Sequence, residues 1–115
     1  MRALRGMIVV PAETPELIAA RVVVEVRDVS FADAPSTLVA ATELRAVPIR
    51  SGTRVLFDAD VPEIAPTHSL SVSCHVDIDG DGVRSPGDFL STQSLPVPVT
   101  GALPAVVVPV RRIGA

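Results

Sequence analysis

The stretch Ser69-Leu-Ser-Val-Ser-Cys-His-Val-Asp-Ile78 has the most regular alternation of polar and apolar residues in the chain. Successive side chains of a β-strand point to opposite faces, so this pattern predicts a strand with one buried face. The side chains expected to point inward are Leu70, Val72, Cys74, Val76 and Ile78. The serines, His75 and Asp77 are expected to point outward.

Six further segments are typical of short strands, although residues 37–49 also have some helical propensity. In that segment the β-branched residues and the flanking prolines favour a strand. The predicted strands are residues 5–10, 21–27, 37–49, 53–59, 69–78, 89–99 and 105–110. Turn residues separate them, and Pro96 and Pro98 mark an edge position. We therefore predict a single all-β domain (residues 1–115), a small antiparallel β-sandwich of about seven strands, prealbumin- or immunoglobulin-like.

Composition excludes several classes of function. Only 3% of the 115 residues are aromatic, and the net charge is −3. A nucleic-acid partner is not expected, because base stacking needs aromatic faces and phosphates need a basic surface. The single Cys74 cannot form an internal disulfide, and its place in a strand predicts a small buried residue.

The N-terminal residues carry no signal-peptide pattern and no lipid-acceptor cysteine, and no segment has the length of a membrane span. From the sequence we expect no lipid anchor in this chain. We also expect that the chain is either cytoplasmic or the mature form of an exported protein.

An acidic loop follows the strand of residues 69–78, with the sequence Asp77-Ile-Asp-Gly-Asp-Gly-Val-Arg-Ser-Pro-Gly-Asp88. Carboxylates fall at loop positions 1, 3, 5 and 12, and a glycine falls at position 6. A backbone carbonyl at position 7 and a hydroxyl or water at position 9 complete the oxygen set of a calcium loop. The predicted metal ligands are Asp77, Asp79, Asp81, Val83, Ser85 and Asp88. The predicted ion is Ca²⁺, with Mg²⁺ as an alternative.

This loop resembles those of EF-hands and dockerin modules, with two departures from an EF-hand. Its flanking segments are predicted strands rather than helices, and position 8 is Arg84 where paired EF-hands have an aliphatic residue. Asp-Gly sequences also form ordinary hairpin turns, so a tight acidic turn without a cation remains the alternative.

A second resemblance covers most of the chain. Its residues are the first strand Arg5-Gly-Met-Ile-Val-Val-Pro11, the string Asp28-Val-Ser-Phe-Ala-Asp-Ala-Pro35, a His-Val-Asp strand and Ser-Thr-Gln-Ser94. The chain resembles the bacterial family of YbaY-type lipoproteins and type III secretion lipoprotein chaperones, the YscW-type pilotins. The resemblance implies a small β-sandwich. Its pilotin members guide a secretin ring to the outer membrane. This chain shows no signal peptide and no N-terminal lipid-acceptor cysteine, so neither the anchoring nor the pilotin role is carried over, and the resemblance implies the fold alone.

Other polar groups give weaker indications. His68 and His75 are seven residues apart without a partner at metal-ligand spacing. His75 is expected to be a solvated surface histidine, with a role beside the cation site as the alternative. Ser71 or Ser73, His75 and Asp77 share one strand face, where they cannot form a Ser-His-Asp triad, so no enzyme is predicted. Asp28 and Asp33 are typical turn formers, and Phe31 in the same segment would anchor a partner if it is exposed.

Two functions remain open at this stage. One is a calcium-binding module without enzymatic activity that binds a protein partner or supports an assembly. The other is a structural domain that associates with itself and has calcium as its one ligand.

Overall fold

The structure, a computed structural model, describes residues 1–31 and 33–114. Ala32, within the Asp28–Pro35 string, and Ala115, at the end of the predicted domain, lie outside the described residues. The described chain is all-β, which confirms the predicted class. It contains no helix long and apolar enough to cross a membrane in the residues that were described.

The described residues form eight strands. They are β1 (Arg2–Val9), β2 (Leu17–Asp28), β3 (Thr37–Ile49), β4 (Arg54–Val61), β5 (Leu70–Asp77), β6 (Phe89–Ser91), β7 (Leu95–Val97) and β8 (Val106–Arg112). Strand β3 has the bounds predicted from the sequence. The predicted strand at residues 89–99 divides into β6 and β7, because turn residues Thr92 and Gln93 interrupt it.

The strands form one sheet in the order β3-β2-β5-β6-β8-β1-β4, and β7 pairs with β5 beside this path. Strand β8 joins into one sheet the two sheets that the predicted sandwich would keep separate. Its residues 106–109 pair with β1, and its residues 110–112 pair with β6. A strand that changes partner partway forms a corner, so the sheet curves around a single core and is nearly closed.

The prediction that every strand pair is antiparallel was wrong in one place. Strands β1 and β8 are parallel, with Gly6 opposite Val106 and Val9 opposite Pro109. A parallel pair needs a long crossover, and here the six intervening strands provide it. Side chains alternate between the two faces in parallel and in antiparallel strands alike, so the sequence pattern could not distinguish a parallel pair from an antiparallel one.

The core is filled mainly by aliphatic side chains, together with two phenylalanines. The buried apolar residues are Leu4, Ile8, Val10, Ala19, Val22, Val24, Val26, Ile49, Val55, Phe57, Ala59, Val61, Leu70, Val72, Cys74, Val76, Phe89, Val97, Val108 and Val110. The inward direction predicted for Leu70, Val72, Cys74 and Val76 of β5 is therefore confirmed. On β5, however, Asp77 is fully buried although it was predicted to point outward, and Ile78 is half-buried.

Candidate functional site

The acidic loop joins β5 to β6, which are antiparallel neighbours with Val76 opposite Phe89. It folds back over the start of β2, where the amide of Ala20 donates to the Ile78 carbonyl at 3.2 Å. Gly80 and Gly82 adopt φ values of +75° and +77°. Side chains disfavour this left-handed conformation, and a Cβ at Gly80 would also lie 2.9 Å from the Cβ of Ala20. The two glycines allow the loop to turn tightly against β2.

Asp77 holds the first half of the loop together. Its Oδ1 accepts a hydrogen bond from the Gly80 amide at 3.0 Å, and its Oδ2 accepts one from the Gly82 amide at 2.8 Å. The Arg21 guanidinium lies 3.6 Å from Oδ2. These partners explain how a carboxylate at the end of a strand can be fully buried, because a buried charge needs hydrogen bonds and a countercharge.

Two titrating groups in this part of the loop are shifted in opposite directions. Burial raises the pKa of Asp77, but the hydrogen bonds from Gly82, Asp79 and Gly80 outweigh burial and leave that pKa below its usual value. The pKa of Asp79 is raised, first by its hydrogen bond with Asp77 and then by burial and by Asp81. Carboxylates this close cannot all ionise easily, and Asp79 keeps its proton more readily than Asp77 does.

Asp88 holds the second half of the loop. The side chain is 1% exposed, and its Oδ1 accepts a hydrogen bond from the Ile78 amide at 3.0 Å. Its Oδ2 lies 2.9 Å from His75 Nε2 and accepts a bond from the Ser85 amide at 3.3 Å. His75 is therefore a half-buried partner of Asp88, and the prediction of a solvated surface histidine was wrong.

The structure gathers the predicted ligands into two overlapping groups. Asp77, Asp79 and Asp81 each offer a carboxylate oxygen within 4.8 Å of the others, and Asp77 and Asp88 do the same with His75. Within the described residues, no such group contains all four predicted carboxylates. The side chain of Val83 is exposed, and its backbone amide donates a hydrogen bond to Asp81. The Ser85 hydroxyl donates a hydrogen bond to Asp88. Loop spacing did not include His75 among the predicted ligands, because His75 lies on β5 and not in the loop. The sheet brings it beside Asp77 and Asp88.

A polar cleft lies beside this loop on the outer face of β2, β5 and β6. Its floor follows the strand register, in which Val23 lies opposite His75 and His75 lies opposite Leu90. Its volume is about 270 Å³, and the other lining residues are Glu25, Ser73, Cys74, Arg84, Ser91, Gln93 and Ser94. Cys74 is buried beneath it, and burial raises the pKa of that thiol to about 12, which makes it unreactive at neutral pH.

A second polar cluster lies at the other end of β2. Asp28 accepts hydrogen bonds from the amide and the hydroxyl of Ser30, which confirms its predicted turn-forming role. Its other oxygen lies 2.6 Å from His68 Nδ1. Phe31, which is 66% exposed, contacts His68 edge to face with 6.4 Å between ring centroids. The structure thus gives His68 a partner that the sequence did not indicate.

An apolar row crosses the outer face of β4, β1 and β8. Leu56 lies opposite Met7, and Met7 lies opposite Val107. Leu56 on β4 is 73% exposed and Val107 on β8 is 52% exposed, and Met7 lies half-buried between them. Arg5 and Asp58, 3.4 Å apart, border this row.

No protein-family model matches the chain, and no curated protein matches it. Among solved structures, the chain is similar to an alternative pilotin from the type II secretion system of Vibrio cholerae. The two are 24% identical with a TM-score of 0.73, and the match covers 99% of this chain and 98% of that one. The description of that neighbour as a pilotin is consistent with the predicted resemblance to YscW-type pilotins. What the comparison establishes for this chain is its fold, shared with that pilotin from end to end.

Proposed function

We propose that this protein is a pilotin-like module that binds a protein component of a bacterial secretion system and has no enzymatic activity. The observation that carries the proposal is the end-to-end likeness to a secretion-system pilotin at a TM-score of 0.73. The sequence resemblance to YscW-type pilotins implies the same fold, and it rests on short strings such as Asp28 to Pro35 rather than on backbone shape.

The surface offers the features that protein partners use. Leu56, Val107 and Phe31 are large hydrophobic side chains exposed to solvent, and the half-buried Met7 joins Leu56 to Val107 in the apolar row. Partners bury such groups at the centre of an interface and leave charged residues at the rim. Arg5 and Asp58 occupy a rim position beside the row.

The test is binding to peptide segments that together cover the secretin encoded in the same genome. We expect saturable binding of one segment per chain in a calorimetric titration, with a Kd of about 10 µM or below. Leu56→Asp should weaken this binding, whereas Ile18→Asp, at another exposed aliphatic side chain, serves as the matched control. If no segment binds at about 100 µM, the secretin is removed from the proposal.

We further propose that the acidic loop binds Ca²⁺, with Mg²⁺ as the alternative ion, through Asp77, Asp79, Asp81, Val83, Ser85 and Asp88. The proposal is supported by ligand spacing and by the three carboxylates that converge within 4.8 Å. A cation would offset their mutual repulsion and would hold the β5–β6 hairpin.

Thermal unfolding in EGTA, in millimolar Mg²⁺ and in millimolar Ca²⁺ tests this site. We expect a rise in Tm that is specific to Ca²⁺, because an ion that binds the native state alone stabilises it. Asp79→Ala should abolish the rise, and Asp60→Ala, an exposed acid on β4, should retain it. Identical curves in all three buffers would leave the loop as a tight acidic turn.

A further inference from the structure

We propose that the polar cleft beside the acidic loop, lined by Ser73, His75, Arg84, Ser91 and Ser94, is a binding site for a single carboxylate. The cleft lies on the outer face of β2, β5 and β6, and the opposite side of β5 packs in the core. The inference deepens the proposed function, on which its biological meaning rests. The carboxylate would belong to the partner, as a C-terminal group or an acidic side chain.

The lining of the cleft is rich in hydrogen-bond donors. Arg84 supplies a guanidinium with five donor positions, and Ser73 and Ser94 supply hydroxyl groups. The Ser91 oxygen already accepts the Cys74 amide at 3.1 Å, so its hydroxyl hydrogen is left to donate elsewhere. This inventory suits an acceptor-only ligand, and an ionised carboxylate is such a ligand.

Charge in the cleft also favours an anion. Arg84 makes no ion pair and no hydrogen bond with any residue in the described parts of the chain, so its charge is available to a ligand. Glu25 is the acid that lines the cleft, but Arg27 lies against it, with Nη2 at 3.2 Å and Nε at 3.4 Å. The negative charge of Glu25 is thereby offset, and Arg84 is the charged lining residue that has no partner within the described residues.

The rigidity of the floor adds to the argument. Val23, His75 and Leu90 lie in one cross-strand row, and His75 is fixed through Nε2 by the buried Asp88. A ligand would meet a floor that is already oriented, and Arg84 is the side chain that must be ordered on binding. Arginine and carboxylate also match in shape, since two parallel hydrogen bonds can form between them.

The test is an NMR titration of the whole chain in EGTA at constant ionic strength. The probes are N-acetylglycine, which has a terminal carboxylate, and the α-amide of N-acetylglutamic acid, which has a side-chain carboxylate. N-acetylglycinamide is the neutral control. We expect saturable shifts of the Cys74, His75, Leu90 and Ser91 amide signals with a Kd of about 1–10 mM. The carboxylate that saturates at the lower concentration identifies the source that the site prefers.

Arg84→Gln should weaken binding about tenfold, because it removes a charge-assisted bond from an exposed side chain without disturbing the core. Arg54→Gln, at an exposed arginine on β4, should change the affinity by less than about twofold. Equal shifts with the neutral amide, or an unchanged affinity in Arg84→Gln, would overturn the site. This titration contains no secretin segment, so its result is separate from the test of the proposed function. If the carboxylates do not bind but a secretin segment does, the carboxylate site in the cleft is refuted and the proposed function stands.

Discussion

At the scale of single residues, Gly6 shows most directly how closely this core is packed. A Cβ built at Gly6 would lie 2.6 Å from Phe57 Cζ, and 2.7 Å from both Val106 Cγ2 and the Val106 carbonyl oxygen. Phe57 is the cross-strand partner of Gly6, so the ring covers the place that a side chain would occupy. The glycine lets β4, β1 and β8 approach one another around an aromatic ring.

Gly6→Ala should therefore destabilise the fold by about 1–3 kcal/mol, since an added methyl group must displace a buried ring or the backbone of β8. Urea unfolding followed by circular dichroism measures this change. Gly114→Ala is the matched control, because nothing lies within 4 Å of a Cβ at that position. If the two variants unfold at the same urea concentration, the contact at Gly6 is not as close as the structure gives it.

Asp28 makes stability depend on pH. Its hydrogen bonds from the Ser30 hydroxyl, His68 and the Ser30 amide lower its pKa from 3.8 to about 2. A group whose pKa is lower in the folded state stabilises the fold above its unfolded pKa, and the stabilisation is lost as pH falls through the folded value. The contribution should be complete above about pH 4 and gone near pH 2.

Asp28→Asn should lower Tm at pH 6 and should flatten the dependence of Tm on pH between about 4 and 2. Thermal melts across that range measure the effect. Asp33→Asn, in the same loop, is the control. Parallel Tm profiles of the wild type and Asp28→Asn would contradict the role given to the Asp28–His68 pair.

At the scale of structural elements, the β5–β6 loop is shaped by its two buried carboxylates, one at each end. Asp77 binds the amides of Gly80 and Gly82, and Asp88 binds the amides of Ile78 and Ser85. The exposed Asp79 lies between them and carries a raised pKa, first because of its hydrogen bond with Asp77. The same acidic residues therefore have different structural roles.

Asp77→Ala should destabilise the protein by about 1–3 kcal/mol in EGTA, since it leaves two loop amides without their acceptor. Asp79→Ala should be nearly neutral in the same buffer, because it removes an exposed carboxyl group from a crowded acidic cluster. Chemical denaturation of both variants gives the comparison. An equal loss in the two would mean that the loop conformation does not depend on Asp77.

At the scale of the whole molecule, β3 and β4 end the strand order and each has one edge without a partner strand in the described sheet. Charged residues and irregular backbone interrupt the β3 edge. Glu43 and Arg45 lie near its middle, Ala46 has a positive φ of 52°, and Pro48 follows. Such features discourage pairing between the edges of two molecules.

We therefore expect a monomer of 12.0 kDa at low micromolar concentration, measured by sedimentation equilibrium. A monomer supports the proposed protein-binding module, whose partner is a different chain. A stable dimer or larger assembly would instead favour a structural domain that associates with itself. Pro48→Thr, which restores a backbone donor to the edge strand, should increase association if the β3 edge limits it.

The sequence by itself determined the all-β class, the bounds of β3 and the inward face of β5 from Leu70 to Val76. These follow from side-chain alternation, which is local and has a period of two residues. It also determined that Asp77, Asp79 and Asp81 lie close together, since they alternate within five residues of one loop. Only the tertiary structure decided the parallel β1–β8 pair, the corner in β8 and the burial of Asp77. It also decided the pairing of His75 with Asp88 and the cleft around Arg84. These features join residues far apart in the chain, and no local pattern records which strand will lie beside which.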